Sequence, residues 1–302
     1  MTFRYDDIGN RLRAFRLASG LSADEIARRI GISRTALYRC EKGELTKIET
    51  LDRLSELLGV SIPTLLGVGI EFISSAVAYF ERLRQIEEEA QHIVVLAGPI
   101  SFLLASDGFD RVVEQILVES IPKDVPERKR CLANVETILS ILKQRKDSFR
   151  KRRPSVVNLI SGLEIERLLR NGFIGRTLLP YAEQRKRLEL ARAEVMHFAT
   201  LLEQQPIGVQ IGVVSDALPQ TGFQIFRTAD RRLLTLSPFR LGENPNVRVG
   251  VAMITSAEEA LMLHDRAISE MWSNAIKGQD AAVYLRDLVA ATDRNHRFGI
   301  AK

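Results

Sequence analysis

Residues 21–43 read Leu21-Ser22-Ala23-Asp24-Glu25-Ile26-Ala27-Arg28-Arg29-Ile30-Gly31-Ile32-Ser33-Arg34-Thr35-Ala36-Leu37-Tyr38-Arg39-Cys40-Glu41-Lys42-Gly43. Two short helices joined by a sharp turn account for this order of residues. Ser22 with Glu25 three places on is a capping-box start, and Ile26, Ala27 and Ile30 follow at helical spacing. Gly31 closes the first helix, where a positive φ costs a glycine least. Ser33 caps a second helix over 34–42, which ends at Gly43. Ala27 is small enough for the two helices to cross closely, with Ile26, Ile32 and Leu37 as buried pegs. That packing turns Arg34, Thr35, Tyr38 and Arg39 outward on the second helix.

Working outward, Ile8, Leu12, Phe15 and Ala18 mark a preceding helix that stops before Gly20. A further helix over about 49–58 carries Leu51, Leu54, Leu57 and Leu58 inward, and Ser61 opens a short one through Leu65 and Leu66. Gly67-Val68-Gly69 reads as a hinge, and 70–90 as one more helix. Beyond it, strands are expected at 92–97, 155–160, 209–214, 223–227, 232–236 and 247–254, with a turn at Ala229-Asp230-Arg231. Helices are expected at about 108–120, 126–149, 163–171, 178–204, 256–276 and 280–291. The fold class is therefore an all-α five-helix unit followed by an α/β domain with a mixed sheet. The expected divisions are 1–67, a linker or dimerisation helix at 68–91, the α/β domain at 92–293 and a frayed tail at 294–302.

A first helix, a sharp turn and a short second helix with polar residues outward is the geometry that enters a DNA major groove. An outward arginine can bond guanine O6 and N7 together, a threonine methyl can meet the thymine methyl, and the Ser33 cap offers hydroxyl and free amides to a phosphate. From Ile8 through Gly43 the chain resembles the Cro/C1 (XRE, lambda-repressor-like) helix-turn-helix family, in the pattern LRxxRxxxGLSxxEIAxxIGISRxxLYRxEKG. The resemblance covers about the first fifth of the chain. It implies a structural pair between Arg16 and Glu41, base reading by Arg34, Thr35 and Arg39, and backbone contacts near Ser33 and Lys47. The family usually starts its second helix with a glutamine that touches a phosphate; here the residue is Ala23, so that contact is absent.

The net charge of +5 does not by itself support a nucleic-acid partner. Between Lys143 and Arg153 seven basic residues stand against Asp147, which leaves the rest of the chain at −1. That run reads as a solvated helix end suited to the macrodipole, a second phosphate-contacting patch, or a site for an anionic ligand. Met1 to Asp7 is too polar for a signal peptide, and no apolar run is long enough to span a bilayer. Cys40 and Cys131 are too isolated for a disulfide framework or a thiolate metal site, so a reducing cytoplasm is expected.

None of His92, His197, His264 and His296 begins a metal-binding or catalytic motif, and no phosphate-binding glycine loop is present. The expectation is a chain without enzyme activity, metal or cofactor. Residues 222–272 resemble the second part of a phospholipase-D-type half domain, with Asp230 at a hairpin turn and Glu258 and Trp272 in the helix that follows. The histidine–lysine pair of that family is missing, so the likeness implies fold without activity. The expected function is a sequence-specific transcription regulator that binds double-stranded DNA as a homodimer, its α/β domain sensing a small-molecule effector or dimerising. The alternative is a DNA-binding module fused to a phosphodiesterase-like or other enzymatic domain. The helix at 70–90 is a candidate dimer contact or an element packed on the sheet. An effector pocket is expected at strand ends near Gly98-Pro99 or Ser215-Asp216.

Overall fold

The computed structural model describes residues 5–44, 47–96, 98–176, 179–215 and 222–299, with side chains from Asp7 to Thr292. Five helices come first: α1 (Tyr5–Ser19), α2 (Ala23–Ile30), α3 (Arg34–Glu41), α4 (Ile48–Leu58) and α5 (Ile62–Leu66). The caps are those that the sequence signals. Ser22 Oγ accepts from Glu25 N at 3.1 Å and Ser33 Oγ from Ala36 N at 3.0 Å. Gly31 and Gly59 end α2 and α4 with φ of 75° and 66°, in the left-handed region. Ile26, Ala27 and Leu37 are buried at the crossing, and Ile32 packs against the same core.

The remainder is an α/β domain around one eight-stranded mixed sheet. Its strands are β1 (Ile70–Ile73), β2 (His92–Leu96), β3 (Ser155–Ser161), β4 (Val209–Val214), β5 (Phe223–Arg227), β6 (Arg232–Leu236), β7 (Ala252–Thr255) and β8 (Ile276–Lys277), in the order β1-β7-β6-β5-β2-β3-β4-β8. Strands β2, β3 and β4 are parallel, and every other pairing is antiparallel. The helices are α6 (Ala76–Glu89), α7 (Asp107–Glu119), α8 (Arg128–Arg152), α9 (Gly162–Asn171), α10 (Tyr181–Gln204), α11 (Glu258–Asn274) and α12 (Gly278–Gly299).

The alternation of side chains along the strands splits the core in two. Ile93 and Val95 of β2, Val156 and Ile160 of β3 and Phe226 of β5 join the larger cluster with α6 to α10 and α12. Leu96, Leu159, Ile225 and Leu234 face the other way, onto Leu261 and Ile268 of α11. The sheet is thus the middle of three layers.

Four expectations are corrected. The helix expected over 70–90 is β1 followed by α6: Ile70–Ile73 pairs antiparallel with Ala252–Thr255, and Ser75 caps a helix that starts at Ala76. From Ala76 to Glu87 every residue of α6 is buried within the chain, so this part of the helix packs on its own domain. The helix expected over 256–276 gives up its end to β8, which pairs with β4. The strand expected over 247–254 begins only at Ala252. The expected tail carries α12 on through Gly299, and 300–302 lie outside the described residues.

Candidate nucleic-acid interface and the junction beneath it

The candidate recognition face is built from the α1–α2–α3 crossing upward. α1 closes on the end of α3 at Gly9, where a β-carbon would stand 2.7 Å from the Gly43 backbone nitrogen. In the same crossing the Arg16 guanidinium bonds both oxygens of Glu41, the outer bond 3.1 Å long. This pair ties the first helix to the C-terminus of α3, while the opposite side of α3 faces outward.

That free side carries Arg34, Thr35, Tyr38 and Arg39, all exposed. Arg34 Nη1 donates to Asp24 Oδ2 at 3.1 Å and Nη2 to the Tyr38 hydroxyl at 3.3 Å, with the guanidinium 5.4 Å from the Tyr38 ring centre. The Tyr38 hydroxyl bond, then the Asp24 charge, raises the Arg34 pKa above the ordinary arginine value. Arg16 approaches the same ring at 5.8 Å, so Tyr38 stands between two guanidinium groups. Arg39 pairs with Glu44. Ser33 sits at the N-cap of α3, and Lys47, also exposed, at the N-cap of α4 without a side-chain cap bond.

Asp24 and Glu44 are the site residues that the sequence reading missed. Neither belongs to the outward stripe of α3; Asp24 reaches Arg34 from α2 and Glu44 reaches Arg39 from five residues on. The spacing Arg39–Glu44 is visible in the sequence, but it signals a pair only once the chain is known to turn back after Gly43. Ala23, where the family pattern places a glutamine, is buried at the start of α2, and it is the next residue, Asp24, that reaches toward α3.

Below this face lies a charged junction with the α/β domain. Glu71 of β1 accepts from Arg11 Nε at 2.6 Å and from Arg82 Nη2 and Nε at 3.0 and 3.1 Å. Arg82 also bonds Gln85 at 2.7 Å, whose amide donates to the Asn10 carbonyl in α1 at 3.0 Å. Arg231, in the β5–β6 turn, grips Asp7 at the start of α1, with one bond of 2.9 Å, and reaches Glu89 at 3.2 Å. Burial pushes the Glu71 and Asp7 pKa values up, but the arginines around them more than reverse this, and both end below the usual carboxylate range. The expected hinge at Gly67-Val68-Gly69 is covered only at its start: a β-carbon at Gly67 would stand 2.6 Å from Arg11 Nη1, while Val68 and Gly69 are exposed.

The basic run at 143–153 is largely engaged inside the chain. Arg145 bonds Glu87 at 2.8 and 2.7 Å, Lys146 bonds Asp110 at 2.6 Å, and Arg150 pairs with Asp107. Arg152 donates to the Glu87 carbonyl, 3.1 Å away, near the end of α6. Its cations therefore serve mainly to dock α8 against α6 and α7.

The histidines take structural hydrogen bonds. His92 Nδ1 lies 2.7 Å from Ser155 Oγ, His197 Nε2 3.0 Å from the Leu104 carbonyl and His264 Nδ1 2.8 Å from the Ala260 carbonyl. The His296 side chain lies outside the described residues. Gly98 lines a cavity of about 710 Å³ at the end of β2, while Asp216 of the second expected pocket lies outside the described residues. Among the described residues no cluster of histidine, cysteine and carboxylate side chains could hold a metal ion, and no helix is long and apolar enough to cross a membrane.

Five helices with a close α2–α3 crossing, set in front of an α/β domain, define a helix-turn-helix unit fused to a second domain. Residues 7–66 match the family described as "Helix-turn-helix domain". No curated protein matches the chain. Among solved structures the chain is similar to TrmBL2, an archaeal chromatin protein described as showing a novel mode of DNA binding. That likeness has 11% identity and a TM-score of 0.30, and covers 75% of this chain and 60% of the other. The chain thus spans less than two thirds of that protein, and such a score is too low to equate the two folds.

Proposed function

We propose that the chain is a sequence-specific DNA-binding transcription regulator that lays α3 in the major groove. The observation that carries this is the free side of α3, where Arg34, Thr35, Tyr38 and Arg39 stand exposed while Leu37 and Cys40 anchor the helix in the core. Ser33 and Lys47, at two helix starts beside that face, are placed to meet phosphates. The proposed homodimer suits a two-fold operator, which asks for two recognition helices about one turn of DNA apart, roughly 34 Å. The α/β domain acts as the effector-sensing part rather than as an enzyme, and the place of action is the cytoplasm, at the DNA. Three of the four histidines being held in structural hydrogen bonds supports the regulator over the catalyst.

Footprinting of the protein on its own genomic DNA identifies the operator, and a two-fold site is the expected result. On that site Arg34→Ala and Arg39→Ala each weaken binding by ~1–3 kcal/mol. Operator affinity unchanged in both variants defeats the assignment of α3 as the reading helix.

A further inference from the structure

The cavity beside Gly98 has a composition that selects its occupant. Tyr79 and Phe80 of α6, Phe102, Phe223 and Phe239 turn five aromatic side chains onto one space of about 710 Å³. Walls of this kind favour a planar apolar body, and the few polar groups among them set its orientation. Two of those groups are deeply buried and incompletely bonded. Ser101 is 3% exposed, and its hydroxyl has no hydrogen-bond partner among the described residues. Arg145 is 4% exposed, its guanidinium 5.7 and 5.6 Å from the rings of Phe80 and Phe102. Its Nε and Nη2 bond Glu87, while Nη1 has no partner among the described residues. Neither atom is sealed in the interior, so each is open to the cavity, where an acceptor on a guest can take its hydrogen bond.

Charge narrows the choice further. Glu87 already balances Arg145, and the other two charges of the lining, Glu164 and Arg240, are one of each sign. An anionic guest would bring an uncompensated negative charge into this setting; a neutral oxygen acceptor would not. We propose that the cavity binds a small, neutral, planar aromatic carbonyl compound, its oxygen taking hydrogen bonds from Arg145 Nη1 and the Ser101 hydroxyl and its ring lying against the aromatic walls. This deepens, and rests on, the effector-sensing part of the proposed function. The link is α6: Tyr79 and Phe80 face the cavity, and Arg82 and Gln85 of the same helix hold the junction with α1.

The test is calorimetric titration of the full chain with 4-hydroxyacetophenone, and with 4-hydroxybenzoate as its charged counterpart. The ketone binds saturably, one per chain, and the anion at least about tenfold more weakly. Ser101→Ala weakens the ketone by about tenfold, as loss of one buried hydrogen bond should. Arg145→Lys, which keeps the charge opposite Glu87 but removes Nη1, does the same in any preparation whose circular dichroism is that of the parent. No saturable binding of the ketone, an anion bound as tightly, or a Ser101→Ala variant that binds unchanged each overturns the site. Operator affinity with and without saturating ketone separates the two readings. A ketone that binds in a Ser101-dependent way without moving DNA affinity refutes effector sensing and leaves the site standing.

Discussion

Arginine–carboxylate pairs occur on both sides of α1, in two settings with opposite consequences. On the recognition face, Arg34–Asp24 and Arg39–Glu44 are pairs of exposed side chains, with both arginines more than half exposed. In the junction, Arg11 and Arg82 enclose Glu71 with all three side chains at 7% exposure or less. The chemistry is the same and the solvent is not. Water screens the first set, so each pair contributes little and opens readily for a competing phosphate or base. Glu71 is out of water, where its attraction to two guanidinium groups must offset a large desolvation cost. The unit therefore shows loosely held arginines to the outside and is fixed to its own chain by tightly held ones.

The sharpest way to break the comparison is to remove the central carboxylate of the junction. Glu71→Ala leaves Arg11 and Arg82 buried beside each other without the carboxylate that bonds them both. Breaking a buried pair in this way costs about 3–5 kcal/mol, so the denaturation midpoint should fall far more than for any substitution on the recognition face. A loss below about 1 kcal/mol, the range of exposed pairs, would mean that the junction is wetter than its geometry indicates.

Acid probes the same contrast without mutation. Glu71 and Asp7 have pKa values lowered from their ordinary 4.5 and 3.8, because the arginines around each outweigh its burial. A carboxylate depressed in the folded state adds stability that is complete above its unfolded value and is lost as pH falls through the folded one. Stability should thus be level with respect to these two groups above pH 4.5 and decline below it, with the α1–α6 contact opening in step. Hydrogen exchange of α1 amides across that range measures this, and Glu71→Gln should flatten the decline.

How much of this was legible beforehand depended on distance along the chain. The caps at Ser22 and Ser33, the turn at Gly31 and the buried Leu37 are local, decided by residues a few places apart, and they are in the sequence. So are the strands β2 to β6, where β-branched and apolar runs end at glycine or proline. The strand β1 was not legible. Ile70–Ile73 is short, and what makes it a strand is Ala252–Thr255, more than 170 residues further on. The charged run at 143–153 was visible as a run but not as a set of internal ligands, because Glu87, Asp107 and Asp110 meet it only through the packing of α6 and α7 on α8. The cavity's end of the sheet could be anticipated from the stop at Gly98-Pro99. Its aromatic lining could not, since Phe80, Phe102, Phe223 and Phe239 come from four separate segments.

The smallest expected effect is the most informative about the outer pairs. Asp24→Ala and Glu44→Ala each remove one exposed partner of an arginine proposed to read bases. Stability should change by no more than ~1 kcal/mol, since surface pairs contribute little. DNA binding should respond differently in two respects. Affinity for unrelated duplex rises, because a carboxylate that repels phosphate is gone and an arginine is released to neutralise one. Discrimination between operator and unrelated duplex falls for Asp24→Ala, because Arg34 then keeps only Tyr38 to fix its direction. Competition binding at several salt concentrations separates affinity from discrimination. A variant that gains on both duplexes equally would show Asp24 to be a charge screen alone; one that loses on the operator while gaining elsewhere would show that it also aims Arg34.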